Sequence, residues 1–365
     1  MASRQGPGYR NTAPTVITLL AVGLSLLLAL GGCGGAAPQQ AAKETTKEET
    51  KGAAAPAAAG KTYKITLAGA SPGGLWSLIG EGVSAAMAKQ FPGSTVTYET
   101  TGGGAANIPM LVRGEVELGI AQNGHVRAAV EGWEPFGKPT TDFYALAYLY
   151  DWEVRQIIIR KEVADKYGIN SLDDIAAKKV PLRIAVNQKG NLDSSVNEDL
   201  LALYGMPYKT IESWGGQILY LASKDAANLM KDRRSDMNMI SLFERHSSIL
   251  EIGQAVEVKF LPVKDSVRKE LEKKWAAGPW TIKAGTYDWQ KEDVETVTMG
   301  AVLLVNKNLS DDTVYDITKA LVDNISSLQG VHSAMKALTP QLMASQKFIP
   351  YHPGAVKYYR EKGLM

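Results

Sequence analysis

From Tyr63 onward the chain repeats one pattern: a short branched-apolar run, a loop of glycine, serine or amide residues, then a longer stretch with helical spacing. That alternation is the rhythm of an α/β protein with largely parallel sheets. It predicts strands at 63–69, 95–100, 118–122, 143–150, 155–160, 182–187, 210–214, 237–240, 256–261 and 296–305. Between them it predicts helices over 75–90, 105–112, 194–204, 226–233 and 266–274. From about Ser310 the pattern stays helical. Ser310, Asp311 and Asp312 suit the start of a helix over 313–325, and Pro353 suits the opening of one over 354–362.

Two stretches break the rhythm. Residues 143–160 read as two extended segments in tandem with no clear helix between them, as in a chain leaving one domain and entering another. Residues 296–306 (TVTMGAVLLVN) suit the return. Length alone favours two domains, because single cores stop growing at about 250–300 residues. The expected organisation is therefore a discontinuous first lobe, 61–154 with 296–365, and an inserted second lobe, 155–295.

The strand-to-helix loops carry the functional signal. Gly69-Ala70-Ser71-Pro72-Gly73-Gly74, Thr100-Thr101-Gly102-Gly103-Gly104 and Gln122-Asn123-Gly124 belong to the first lobe. Asn187-Gln188-Lys189-Gly190-Asn191 and Trp214-Gly215-Gly216 repeat the device in the second. Glycine lets backbone approach a ligand, and the amides at a helix start favour an anion. Ligands in open α/β sheets bind beyond the carboxyl ends of the strands, so such loops from two lobes would face one cleft. Trp76 and Trp214 stand where an indole could either wall that cleft or pack the core.

Other chemistry finds little support. Leu75 stands where a phosphate loop needs lysine, and no dinucleotide fingerprint follows a strand. His125, His246, His332 and His352 are scattered without metal-ligand spacing and read as structural or surface residues. Asp232, Asp236 and Glu244 read as solvated or capping carboxylates. There is no nucleophile elbow. Binding without catalysis, cofactor or metal is the expectation. Lys and Arg number 40 against 38 Asp and Glu, and both excess charges, Arg4 and Arg10, precede residue 33. The remainder is balanced, which argues against a nucleic-acid partner.

Residues 16–30 form an apolar run of 15 residues. As a helix it would reach about 22 Å, short of a hydrocarbon core about 30 Å thick. A basic start, an apolar centre and small residues make 1–32 a secretory signal. Leu30-Gly31-Gly32-Cys33 resembles a lipobox, which makes Cys33, the only cysteine, the lipidated first residue of the mature chain. Acyl chains there would hold the protein on a membrane surface. Residues 33–60, rich in Ala, Thr, Lys and Glu, would be a tether with a reach of about 30 Å.

The loops also resemble a family. The 69–74 and 100–103 loops with Asn107, Leu118-Gly119-Ile120-Ala121-Gln122, Ile282-Lys283-Ala284-Gly285-Thr286-Tyr287, Glu292-Asp293-Val294 and the closing His352-Pro353-Gly354-Ala355-Val356-Lys357-Tyr358-Tyr359 resemble the TRAP-associated extracytoplasmic immunogenic (TAXI) solute receptors. The resemblance implies a two-lobed, periplasmic-binding-protein-like fold of type II, with a hinge and an interlobe cleft. It implies an extracytoplasmic receptor, not an enzyme. Such a receptor would capture a small carboxylate or amino acid, such as glutamate, glutamine or 2-oxoglutarate, and deliver it to a TRAP-type membrane permease. Carried over by position, Ser71, Gly74, Trp76, Thr101, Asn107, Gln122 and Asn123 would bind the solute from the first lobe, and Asn191, Ser194 and Ser195 from the second. The chain departs from the pattern at Trp76, where tyrosine is usual, at Asn123-Gly124 in place of serine-aspartate, in the 187–190 loop, and in the bulky Ser241-Leu242-Phe243-Glu244-Arg245-His246. A receptor docking on a membrane sensor, or an enzyme on the same fold, are the competing functions.

Overall fold

The computed structural model describes residues 60–189 and 191–365. The signal segment, Cys33, nearly all of the tether and Gly190 lie outside the described residues. Ten strands are present among the described residues: β1 (Lys64–Ala68), β2 (Thr95–Glu99), β3 (Leu118–Gln122), β4 (Phe143–Arg160), β5 (Arg183–Val186), β6 (Gln217–Tyr220), β7 (Met237–Leu242), β8 (Val258–Phe260), β9 (Gly278–Ile282) and β10 (Val294–Asn306). They join in the order β2-β1-β3-β10-β4-β7-β5-β6, with β8 on β4 and β9 on β10. The outer pairs β1/β2, β1/β3, β5/β6 and β5/β7 are parallel, as the strand–loop–helix pattern requires. The two central long strands run antiparallel to their neighbours and to each other. The fold is α/β.

Burial explains the strand sequences. β10 is buried at 12 of its 13 positions and reads as an almost unbroken apolar run, as expected for a strand covered on both faces. β2, at the edge, alternates exposed and half-buried positions. Helix α1 (Leu75–Gln90) buries Ile79, Val83, Ala86 and Met87, one face at helical spacing.

The core is divided. One cluster draws on residues 65–150 and 301–359; the other two draw on 154–299, with Ala128 reaching into one of them. The chain passes between them along β4 and β10. At that passage Met299 pairs with Glu153 and Ala301 with Tyr150, so Asp151 and Trp152 together oppose the single residue Gly300. This is a β-bulge, which bends a strand and redirects its side chains. Gly300 is required there, since a Cβ would lie 2.1 Å from the Tyr148 hydroxyl and 2.4 Å from the Tyr150 carbonyl oxygen.

The structure differs from the sequence pattern at two predicted segments and adds one strand. Residues 143–160 are one continuous strand, because the bulge absorbs the irregularity at Asp151–Glu153 without breaking the ladder. Residues 210–214 are not a strand. Tyr208–Ser213 is a helix opened by Pro207 and closed by Gly215 in the left-handed region, and the strand follows at Gln217–Tyr220. β9 had no counterpart in the sequence reading. It is a short run interrupted by Pro279 that gains its partners from β10. At the chain's end Ser310 does accept the Thr313 N–H, and Pro353 does open the last helix, Pro353–Glu361.

Candidate functional site

Three glycine-rich or amide loops bring three helix starts together. Helix α1 begins after Gly74, α2 (Gly104–Arg113) after Gly103, and α3 (Asn123–Glu131) after Gln122. None of the three capping positions makes a side-chain hydrogen bond to its helix. The first amides of a helix have no partner within it and carry its partial positive charge. The first turns of all three helices line one cavity of about 700 Å³. From the chain beyond β4, Gln188, Asn191, Leu192, Leu242, Phe243 and His246 line the same space, and Tyr150 and Glu153 line it from β4. Side chains three apart on a regular strand point to opposite faces; the bulge brings these two to one cavity.

The local bonding shows why the loops hold their shape. The Tyr98 hydroxyl accepts a hydrogen bond from Ala70 N at 2.6 Å. Thr101 Oγ1 donates to Gly69 O at 2.7 Å and accepts from Gly103 N at 3.0 Å. Trp76 Nε1 donates to the Tyr150 hydroxyl at 2.9 Å, which ties α1 to β4.

Of the residues singled out from sequence, Ser71, Gly74, Trp76, Thr101, Gln122 and Asn191 line the cavity. The others do not. Asn107 is fully buried beneath the loops, where its amide donates to Gly69 O and Ile120 O at 2.8 Å each and so pins β1 to β3. Asn123 accepts from Gly300 N at 2.7 Å and donates to Ala276 O at 2.8 Å. Its side chain thereby holds the strand passage. Ser194 is buried and Ser195 is exposed on the helix Leu192–Leu203, neither in the lining. Trp214 packs half-buried against the second core, far along the chain from any cavity-lining element.

Several lining residues carry no signal in their spacing along the chain. His125, His246 and His332 read as structural or surface residues from sequence, yet all three line the cavity. His246 and His332 also cap helices by accepting Ser248 N and Ala334 N. His125 is buried, its Nδ1 has no hydrogen-bond partner among the described residues, and burial pulls its pKa down to about 4. It is therefore neutral at neutral pH. Glu153 could have been noticed as a carboxylate midway along an 18-residue, mostly apolar strand. Burial, and then the nearby Asp193, push its carboxyl up to about 7. Gln122 Nε2 donates to it at 3.3 Å.

An adjoining cavity of about 650 Å³ shares Phe243, His246 and His332 and continues to Trp152, Glu244 and Trp280. Glu244 is not simply solvated, since it accepts from Trp280 Nε1 at 2.8 Å. A third, charged cavity of about 450 Å³ lies at Arg160, Arg183 and Asp236. There both arginines are engaged by the buried Asp236, which had read as a solvated group. Among the described residues no group of three or more His, Cys, Asp or Glu is placed to hold a metal ion, and no helix is long and apolar enough to cross a membrane.

The family model described as NMT1-like matches residues 67–363, nearly the whole described body. The chain belongs to the NMT1-like family. The TAXI resemblance is a finer statement than this membership. Among solved structures, PhnD1 from Prochlorococcus marinus in complex with methylphosphonate is 12% identical with a TM-score of 0.48, covering 84% of this chain and 99% of that one. MatC from Rhodopseudomonas palustris with bound malate is 14% identical at 0.47, covering 76% and 90%. A TctC solute-binding protein from Polaromonas is 15% identical at 0.46, covering 83% and 97%. In this NMT1-like chain the loops, the bulge and the cavity form one continuous arrangement.

Proposed function

We propose that the chain is an extracytoplasmic solute receptor that captures a small carboxylate or amino acid and delivers it to a TRAP-type membrane permease. The observation that carries this reading is the convergence of the first turns of α1, α2 and α3, none with a side-chain cap, on one cavity walled by a second core. Unpartnered amides at helix starts are a ready receptacle for a carboxylate. The rest of the lining mixes rings and apolar side chains with polar ones such as Ser71, Thr101, Gln122 and Asn191 that can fix the orientation of a small solute.

The two lobes are residues 61–154 with 296–365, and 155–295. The bulge at Gly300 is the hinge, and capture is closure of one lobe on the other. Binding energy then comes from desolvating the solute and satisfying its carboxylate, and no bond is made or broken. The signal at 1–32 exports the chain, lipidated Cys33 holds it at the membrane, and 33–60 is the tether. The resemblance of the loops to TAXI receptors supports this organisation.

The test is a thermal-shift screen of the mature chain against amino acids and small organic acids at millimolar concentration. A ligand at 100 times its Kd stabilises by about 2.7 kcal/mol, a readily measured rise in Tm. At least one compound is expected to produce it; a flat response across the whole panel contradicts the receptor reading.

A further inference from the structure

The starts of α1, α2 and α3 line the cavity, with the buried His125 Nδ1 unpartnered among them. Glu153 lines the same cavity beside Gln122, the residue that opens α3, and among the described residues no lysine or arginine is part of the lining. Arg155, two residues along β4, is fully buried, but Asp193 Oδ1 lies 2.7 Å from its Nη2 and its Nη1 donates to Asn197. Asp193 in turn accepts from Ser241 Oγ and Ser241 N. The arginine's charge is thus answered by Asp193. Lys189, next to the lining residue Gln188, is exposed and outside the lining. Arg245 belongs to the adjoining cavity, where its Nη1 donates to Thr286 O at 2.6 Å.

Glu153 lines the cavity with Gln122 at 3.3 Å and the Tyr150 hydroxyl as its hydrogen-bonding neighbours, while Asp193 and Arg155, paired with each other, act on it with opposite signs and leave it no ion-pair partner of its own. A half-buried carboxylate without a counter-charge is costly in its ionised form, which its raised pKa reflects. The rings of Trp76, Tyr150 and Phe243 line the same space, and ring faces attract cations.

We propose that the solute is a zwitterion whose cationic nitrogen is set against Glu153 while its carboxylate meets the starts of α1, α2 and α3. This rests on the receptor reading above and narrows it: amino acids belong in the site, and acids without a cationic nitrogen, dicarboxylates and 2-oxo acids among them, do not.

The experiment is isothermal titration of the mature chain with matched pairs, L-amino acids and the 2-oxo acids bearing the same side chains, repeated on Glu153→Gln and Glu153→Asp. In the native chain the amino acid of a binding pair is expected to bind about thirty-fold or more tightly than its 2-oxo partner, the usual scale for a desolvated charge pair. Glu153→Gln should abolish that preference, weakening the amino acid by a similar factor and leaving the 2-oxo acid no weaker. Glu153→Asp, which keeps the charge, should retain the preference. Equal or tighter binding of a 2-oxo acid or dicarboxylate overturns the proposal while leaving the receptor reading standing, as does a preference that survives in Glu153→Gln. Absence of binding by both members of every pair overturns the receptor reading and the proposal with it.

Discussion

Trp76 Nε1 donates a hydrogen bond to the Tyr150 hydroxyl at 2.9 Å, so the first turn of α1 is tied directly to the strand that leads into the second core. Tyr150 in turn meets Phe243 edge-on, with ring centroids 5.6 Å apart. Glycine loop, crossing strand and the segment that follows β7 are thus linked through three side chains that all line the cavity.

Replacing Trp76 should therefore act on binding more than on folding. Trp76 is only half-buried, so Trp76→Ala is expected to weaken solute binding about ten-fold or more while lowering stability by less than a core truncation, which costs about 3–5 kcal/mol for tryptophan. Titration monitored by tryptophan fluorescence checks both the affinity and the signal, which should shrink with the indole gone. Unchanged affinity would remove Trp76 from the site.

Asn107 is expected to behave in the opposite way. Its amide satisfies two buried carbonyls, Gly69 O and Ile120 O. Asn107→Ala would remove both bonds, leaving Gly69 O only the Thr101 hydroxyl as a side-chain donor, and cost about 1–3 kcal/mol. Urea unfolding should show this loss in the absence of any solute. A variant with native stability but no binding would make Asn107 a ligand instead.

Gly300→Ala tests the bulge. The added methyl would collide with backbone, the Tyr150 carbonyl oxygen at 2.4 Å, as well as with the Tyr148 hydroxyl. A cost of about 3 kcal/mol or more is expected from such overpacking, measurable as a lower Tm. A neutral substitution would mean that the strand passage is looser than the packing indicates.

Glu153 and His125 give the stability an internal pH signature. Folding raises the Glu153 carboxyl from an ordinary 4.5 to about 7, so the folded state holds that proton more tightly than the unfolded chain does. Its contribution is present at low pH and is lost as pH rises from 4.5 through 7. His125 works in the other sense: burial lowers it from 6.5 to about 4, so its contribution is present above 6.5 and is lost as pH falls through 4. Between 4.5 and 6.5 the two oppose each other. In the comparison of Glu153→Gln with the native chain the histidine cancels. The stability gap in the variant's favour should grow with pH, by up to about 3 kcal/mol between pH 4.5 and pH 8. Denaturant unfolding of both proteins across that range checks it; a gap that stays constant contradicts an uncompensated Glu153.

Much of this architecture is legible in the chain. The run Leu118–Gln122 reads as a buried strand because it is one, and the loops after β1, β2 and β3 carry glycine and amide residues where helix starts face the cavity. What escaped reading depends on distant partners. Glu153 enters the cavity because Gly300, far away in sequence, opposes two residues of β4. The family resemblance implies Asn107 and Asn123 as ligands, but buried carbonyls and the Gly300 amide claim them. Thr210 and Ile211 suggested a strand by β-branching, and Pro207 with Gly215 imposed a helix instead.

The most direct test of the account is a crystal structure of the mature chain loaded with the best-binding solute of the screen. The account predicts one solute in the cavity of about 700 Å³, its carboxylate on the amides opening α1, α2 and α3, and its nitrogen within hydrogen-bond reach of Glu153. A solute seated in the adjoining cavity, or in the charged one beside Arg160 and Arg183, would contradict it.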